Sequence, residues 1–274
     1  LFKSNISLIL NISPDHLERH KTINRYVVAK FKLVKNQSKK DFALLNIKNF
    51  YIKRELESKN FLPKIIKIKK DIANNFLKKI DNEYFNTYGN RENLKFILEV
   101  AEILKLKKKF LIKTLHKFKG LKYRQEIIFQ SKKLTIINDS KATTFSSSVS
   151  LLKSLTNVYW IVGGQAKKGD RLLLSKQNCK NIKAYIFGDN KSFFISKIKK
   201  LMRYESFLNL KSLIKRLSSE IKMDKKTIHK TILFSPSAAS FDNFKNFEKR
   251  GEYFNQLINC LLYTSDAADD SLRV

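Results

Sequence analysis

Short apolar runs and helical stripes alternate along the chain. Ile6–Ile12 (ISLILNI) and Phe42–Ile47 (FALLNI) are almost wholly apolar, which predicts strands buried on both faces, as in a parallel sheet. After the first run, Ser13 as N-cap and Pro14 at the first helical position predict a helix carrying Asp15, His16 and Glu18. A second helix is expected from about Asn24 to Asn36, with Tyr26, Ala29, Lys30 and Leu33 near one face. Phe50 to Tyr88 is weakly patterned, with Lys-rich short strands around Ile65 to Ile68. Leu94, Ile97, Leu98, Ala101 and Leu104 follow helical spacing within Arg91–Leu106, and a further helix from Lys108 to Phe118 is expected to end at Gly120.

Beyond Gly120, strand-like runs at Leu134–Asn138, Val158–Val162, Ala184–Phe187 and Thr231–Phe234 alternate with helical stretches at 145–155, 190–201, 209–221 and 243–259. The last carries Phe244, Phe247, Phe254, Leu257 and Ile258 on one stripe. Such alternation predicts an α/β fold with helices on the faces of a parallel sheet. The change of texture puts a domain boundary near Gly120–Tyr123, giving domains at 1–120 and 121–260. Residues 261–274 contain no Lys and place three Asp within five positions, so they are expected to be a foreign tail outside the fold.

The chain has 274 residues, of which 43% are hydrophobic, enough for one large core or two ordinary ones. No apolar run reaches the ~18 residues of a membrane-spanning helix, and no secretory signal pattern opens the chain. The absence of an initiator Met suggests that the true beginning is missing. Cys179 and Cys260 lie far apart, which argues against a disulfide scaffold or zinc cluster and fits a cytoplasmic protein.

A net charge of +32 would at face value indicate a nucleic-acid binder. Only ten of the 56 basic residues are Arg, however, and Lys is spread over the whole length. Asn, Ile and Phe are inflated alongside it, as A/T-rich codons would produce. The charge therefore reads as solvated faces, and no nucleic-acid or membrane partner is expected. No zinc-finger spacing or RNP-type aromatic motif accompanies it.

Polar clusters punctuate the strand ends. They are the N-x-x-x-D-H-x-x-R run with Asn11, Asp15, His16 and Arg19; Ala29-Lys30; Gly120-Leu121 with Arg124; Asn138-Asp139-Ser140-Lys141-Ala142-Thr143; Gly163-Gly164 with Lys167; and SPSAASFDNFKNF from Ser235 to Phe247. Each is weak alone. A lone His is more often structural, Gly-Gly after a strand is usually a turn, Phe244 and Phe247 could be plain core, and Lys30 could be an ordinary surface lysine. Yet His16, Asp139, Gly163 and Ser235 all follow predicted strands, at the edge where open α/β sheets bind ligands.

Read in order, these clusters resemble the Mur ligase family, in particular its members that add D-glutamate to UDP-N-acetylmuramoyl-L-alanine. The likeness runs from about Ile6 to Asn259 and is weakest over 50–88. It implies the second half of a Mur-ligase central ATPase domain followed by a Rossmann-like C-terminal domain, acting as a monomer. It also implies ATP and Mg²⁺ as cofactors and an acyl-phosphate intermediate. On the family's pattern His16 stands near the metal, and Lys30 would take up CO₂ to become a carbamate that binds Mg²⁺ through hard oxygens. Such an amine calls for a desolvated site or nearby cations. Asn93, Arg124 and Asp139 would hold ATP, although Tyr123 departs from the His usual before that Arg. Lys141 would neutralise phosphate charge. Thr143, Lys167, Ser240, Phe241 and Phe247 would form the D-glutamate pocket.

No G-x-x-x-x-G-K-[ST] phosphate loop occurs; Gly164 to Gly169 has the glycine spacing but is followed by Asp170. The resemblance places that loop, a catalytic Glu and a uracil-binding domain ahead of Leu1, so the chain is expected to be inactive alone. Two rivals remain: another acyl-phosphate ligase such as a folylpolyglutamate synthetase, and a basic nucleic-acid-binding protein.

Overall fold

The computed structural model describes residues 2–14, 17–68, 72–167, 169–223 and 228–266. The chain divides into two compact units, Leu1–Phe118 and Lys119–Val274.

The first unit holds β1 (Ile6–Ile9), α1 (Leu17–His20), α2 (Ile23–Lys35), β2 (Phe42–Leu45), α3 (Phe50–Ser58), β3 (Lys64–Lys67), α4 (Ile72–Ile80), α5 (Tyr88–Ile103) and α6 (Lys108–His116). Its three strands pair in parallel in the order β1-β2-β3. Alternation along β2 divides the core. Ala43 and Leu45 pack with Ile9 against Val27, Phe31 and Val34 of α2, while Leu44 faces Phe96 of α5 on the other side. Asn49 caps α3 through the Ile52 N–H and donates to the Ile12 carbonyl at 2.8 Å, tying the segment after β1 to the end of β2. Asp41 accepts from the Ser38 N–H at 2.6 Å and the Ser38 hydroxyl at 2.8 Å, which lowers its pKa to about 2. Lys3 adds a smaller push in the same direction. Asp15 and His16 lie outside the described residues.

The second unit holds β4 (Glu126–Gln130), β5 (Leu134–Asn138), α7 (Phe145–Ser154), β6 (Val158–Gly163), β7 (Ile182–Phe187), α8 (Lys191–Ile198), β8 (Arg203–Phe207), α9 (Leu210–Met223), β9 (Lys230–Phe234) and α10 (Phe247–Asp266). The sheet order is β4-β5-β9-β6-β7-β8; β4 is antiparallel and the remaining ladders are parallel. Ile137, Val158, Trp160, Val162 and Leu233 face α7 and α8, whereas Ile136, Ile161, Tyr185, Ile232 and Phe234 face α9 and α10. Burying side chains of this size contributes ~1.5–3 kcal/mol each, so both faces are needed to hold the sheet.

Several elements differ from the sequence expectation. β4 and β8 were not predicted because they are edge strands, only partly buried, without the continuous apolar run that marks a buried strand. α3 and α4 occupy the weakly patterned 50–88 region, where Lys and Asn dilute the stripe. α6 stops at His116, before the expected cap at Gly120. α10 begins at Phe247 rather than 243 and runs on to Asp266, into the segment set aside as a tail. Among the described residues no helix is long and apolar enough to cross a membrane.

Candidate functional site

Strand order brings together clusters that are far apart in sequence. Because β9 lies between β5 and β6, Asp139, Ser235 and the Gly163-Gly164 pair stand at the C-terminal ends of three adjacent strands. This is the crevice position of doubly wound sheets. The Asp139 N–H donates to the Phe234 carbonyl at 2.7 Å, and the Gly163 N–H donates to the Pro236 carbonyl at 3.0 Å. Two-way bonds between Gln165 and Ala239 join the glycine turn to the 235–240 loop. Gly163 has φ 149°, and a Cβ there would lie 2.2 Å from the Phe187 carbonyl oxygen, so only glycine permits this approach.

Arg250 of α10 straps these loops together. It is fully buried, with Nε donating to Ser140 Oγ at 3.1 Å and Nη2 to the Ser140 carbonyl at 2.7 Å. Nη1 reaches the carbonyls of Ala238 at 3.0 Å and Ala239 at 3.2 Å. Desolvation pulls the Arg250 pKa down to about 10, against the opposing pull of Asp242 and Asp139. Burial likewise raises Asp139 to about 7, although it accepts from Ser235 and the Gln125 N–H and faces Arg124 and Arg250. Asp242 is raised for the same reason, and its Oδ1 is a buried atom without a hydrogen-bond partner.

The turn carrying Arg124 is stapled to the same loop. Tyr123 and Gln125, at φ 60° and 50°, bracket Arg124 in left-handed backbone. The Gln125 N–H donates to Asp139 Oδ1 at 3.1 Å, and the Lys141 N–H donates to the Tyr123 carbonyl at 2.9 Å. Tyr123 packs on Gly251, where an added Cβ would meet its ring at 2.4 Å.

The site residues expected from sequence divide accordingly. Asp139, Lys141 and Ser240 belong to the two strapped loops, and the Lys141 ammonium sits 3.7 Å from the Phe247 ring centroid. Arg124 is exposed on its turn; Thr143 and Lys167 are half-buried; Phe241 is 71% exposed, so the ring expected in a pocket faces outward. Lys30 and Asn93 belong to the first unit, on α2 and α5, and both are exposed. Lys30 lies over the Tyr26 ring at 5.2 Å, and within its unit it lacks the desolvation that carbamate chemistry calls for. His16 lies outside the described residues.

Lysine, arginine and hydroxyl groups prevail around these loops, a set that suits phosphate and carboxylate oxygens. It does not offer the several carboxylates a hard cation needs, and among the described residues no three His, Cys, Asp or Glu side chains cluster to hold a metal.

Sequence reasoning gave no role to Arg250, Gly251 or Asn138, although they stand in or beside the motifs, and did not single out Ser148. A signal existed for Arg250: it shares helical spacing with Phe247, Phe254 and Ile258, so a charge stands on the buried stripe. Asn138 donates to the Gly251 carbonyl at 2.9 Å and to Asn255 at 2.7 Å, a role that spacing alone does not disclose.

Residues 1–117 match the Mur ligase middle domain. The UDP-N-acetylmuramoylalanine--D-glutamate ligase of Rickettsia bellii is 32% identical over 280 residues, covering 95% of this chain and 62% of the relative. The corresponding ligase of the Wolbachia of Brugia malayi is 33% identical over 95% of this chain and 54% of its own length. The chain thus spans about 60% of the length of the first of these relatives. In fold it is similar to the MurF ligase of Thermotoga maritima, solved in complex with ADP (TM-score 0.63, 14% identity, 94% of this chain and 63% of that one). It is also similar to a pseudomurein peptide ligase type C of Methanothermus fervidus (TM-score 0.59, 15% identity, 94% and 63%). With its first unit matched to the middle domain and 95% of its length matched to these ligases, the chain belongs to the Mur ligase family.

Proposed function

We propose that the chain contributes to ATP-dependent addition of D-glutamate to UDP-N-acetylmuramoyl-L-alanine, in peptidoglycan precursor synthesis in the cytoplasm. In this reading the substrate carboxylate attacks the terminal phosphorus of ATP, giving an acyl phosphate and ADP. The D-glutamate amine then attacks the acyl carbon and phosphate departs. Two anions, the carboxylate and the ATP phosphates, meet in the first step, so fixed positive charge lowers its barrier. Lys141 supplies that charge, and Arg124 offers a planar donor fork to phosphate or ribose oxygens. Thr143, Lys167, Ser240 and Phe247 hold D-glutamate, with Lys167 pairing its side-chain carboxylate. Asn93 contacts the nucleotide from α5. If Lys30, exposed within its unit, were carbamylated as the resemblance implies, its oxygens and His16 would be the groups to hold Mg²⁺, which would offset phosphate charge; the described side chains of the second unit do not fit that ion.

The observation that carries the reading is the Arg250 strap, which joins the Asp139–Lys141 loop to the Ala238–Ser240 loop. One loop bears the proposed phosphate charge and the other the proposed amino-acid contact, as a reaction joining the two requires. Titration of D-glutamate and L-glutamate into the chain, followed by saturation-transfer NMR, tests it. D-Glutamate alone should bind, and Lys167→Ala should weaken it about ten- to a hundredfold, the worth of one charged hydrogen bond. Equal binding of both enantiomers, or an unchanged Lys167→Ala, would overturn the assignment.

A further inference from the structure

Behind the strand ends, three serines and an aspartate form an unbroken line of hydroxyl contacts. Ser235 Oγ lies 2.9 Å from Asp139 Oδ2, and Ser148 Oγ lies 2.6 Å from both Ser235 Oγ and Ser237 Oγ. Ser237 Oγ is in turn 3.3 Å from the Ser235 carbonyl, which also accepts from Trp160 Nε1 at 2.8 Å. All five residues are buried.

Each hydroxyl has one proton to give, and this restricts the patterns the line can adopt. With Asp139 ionised, Ser235 must donate to it, Ser148 to Ser235, and Ser237 to Ser148. Nothing then remains for the Ser235 carbonyl except the Trp160 indole. With Asp139 protonated, the order reverses: Asp139 donates to Ser235, Ser235 to Ser148, Ser148 to Ser237, and Ser237 to the Ser235 carbonyl. Both patterns satisfy every hydroxyl, and they differ at the far end by one donor on that carbonyl.

We propose that Ser148 is a positioning residue that couples the proton on Asp139 to the backbone of the Ser235–Ser240 loop. Ser148 stands on α7, directly behind that loop, and is the link through which the two ends communicate. Ser237, at φ 56°, is held in left-handed backbone, so its hydroxyl stays aimed at the line. The loop supplies the Ala238 and Ala239 carbonyls to Arg250 and continues to Ser240. Arg124, from the turn before β4, and Arg250, from α10, are the charged groups facing Asp139, and both favour its ionised form. Burial outweighs them and places the titration near neutrality, where both patterns are populated. The coupling stands apart from the proposed ligase reaction; only its consequence, that Asp139 and the Ser240 loop are set together, rests on that reading.

Trp160 is the only tryptophan of the chain, so one indole N–H resonance reports on the Ser235 carbonyl. Its proton and nitrogen shifts can be followed by two-dimensional NMR of the full chain from about pH 5.5 to 8.5, bracketing the expected transition. As pH falls, the second donor should weaken the indole bond and move the proton upfield, with a midpoint of about 7. Asp139→Asn, whose amide donates to Ser235 permanently, should be flat at the acid limit. Ser148→Ala should flatten the Trp160 response, and Ser148→Thr should restore it. If Ser148→Ala does not fold, Ser237→Ala removes the last donor without touching α7 and carries the same expectation. A flat wild-type profile, a titration that survives Asp139→Asn, or one that ignores both Ser148→Ala and Ser237→Ala overturns the proposal. Loss of D-glutamate binding would leave these results untouched.

Discussion

Arg250 grips Ser140 twice, Nε on the hydroxyl at 3.1 Å and Nη2 on the carbonyl at 2.7 Å. The remaining nitrogen reaches the neighbouring loop, so one side chain sets the spacing of two loops that share no covalent proximity. Arginine's rigid fork makes this possible; an ammonium is a point donor on a flexible stem.

Arg250→Met should therefore leave the Ser140 and Ala238 carbonyls without their arginine donor in a buried setting, while Ala239 keeps the Gln165 N–H. The expected loss is about 3–5 kcal/mol of unfolding free energy for removing one member of a buried charged network. Arg250→Lys should recover only part of it. Urea unfolding followed by Trp160 fluorescence measures both. A Met variant as stable as the wild type would refute the strap.

Asp139 gives the second unit a signed pH dependence. Its pKa rises on folding from 3.8 to about 7, so between those values the folded state holds more protons than the unfolded one. Stability should fall as pH rises through that window and level off above it, by at most about 4 kcal/mol. Asp139→Asn, which cannot ionise, should exceed the wild type in melting temperature by clearly more at pH 8 than at pH 5, where only part of the loss has accrued. Thermal unfolding at the two pH values checks this; an equal difference at both would remove Asp139 as the cause.

The first unit should respond in the opposite sense. Asp41 is held down to about 2 by the Ser38 N–H and hydroxyl, so its contribution is present above the ordinary carboxylate range and is lost as pH falls towards 2. Asp41→Asn should blunt the acid sensitivity of α2–β2 amides in hydrogen exchange. Unchanged acid exchange in that variant would count against it.

Gly251 and Tyr123 should behave as a coupled pair. Gly251→Ala forces a Cβ within 2.4 Å of the ring and should cost about 1–3 kcal/mol, as overpacking does. In Tyr123→Ala the same glycine substitution should cost almost nothing, because the obstruction is gone. A double-mutant cycle on melting temperature reads the coupling directly; additive effects would show that the contact is unimportant.

Much of this was legible in the chain itself. β5, β6, β7 and β9 announced themselves because each is buried on both faces and reads as a continuous apolar run. The polar residues following them could be seen to share one edge. What could not be seen was the insertion of β9 between β5 and β6, which makes Asp139 and Ser235 neighbours. Strand order is set by long-range pairing, and no local pattern encodes it. Arg250 was hidden for a different reason: a charge on an apolar stripe looks like noise until its partners, the Ser140 and Ala238 carbonyls, are in place.

The antiparallel β4 also decides how the two units should fare when concentrated. Its register slips between Ile127 and Phe129, so an incoming strand would find a broken template. At the opposite border, β8 carries Arg203 and Glu205, and the latter is held by Lys183 and Arg216. The second unit thus guards both borders against strand-by-strand growth. The first unit's β1, Ile-Ser-Leu-Ile, has neither a slip nor a charge on its open side. Polymerisation of the isolated chain should start there, and a single lysine within Ile6–Ile9 should slow it.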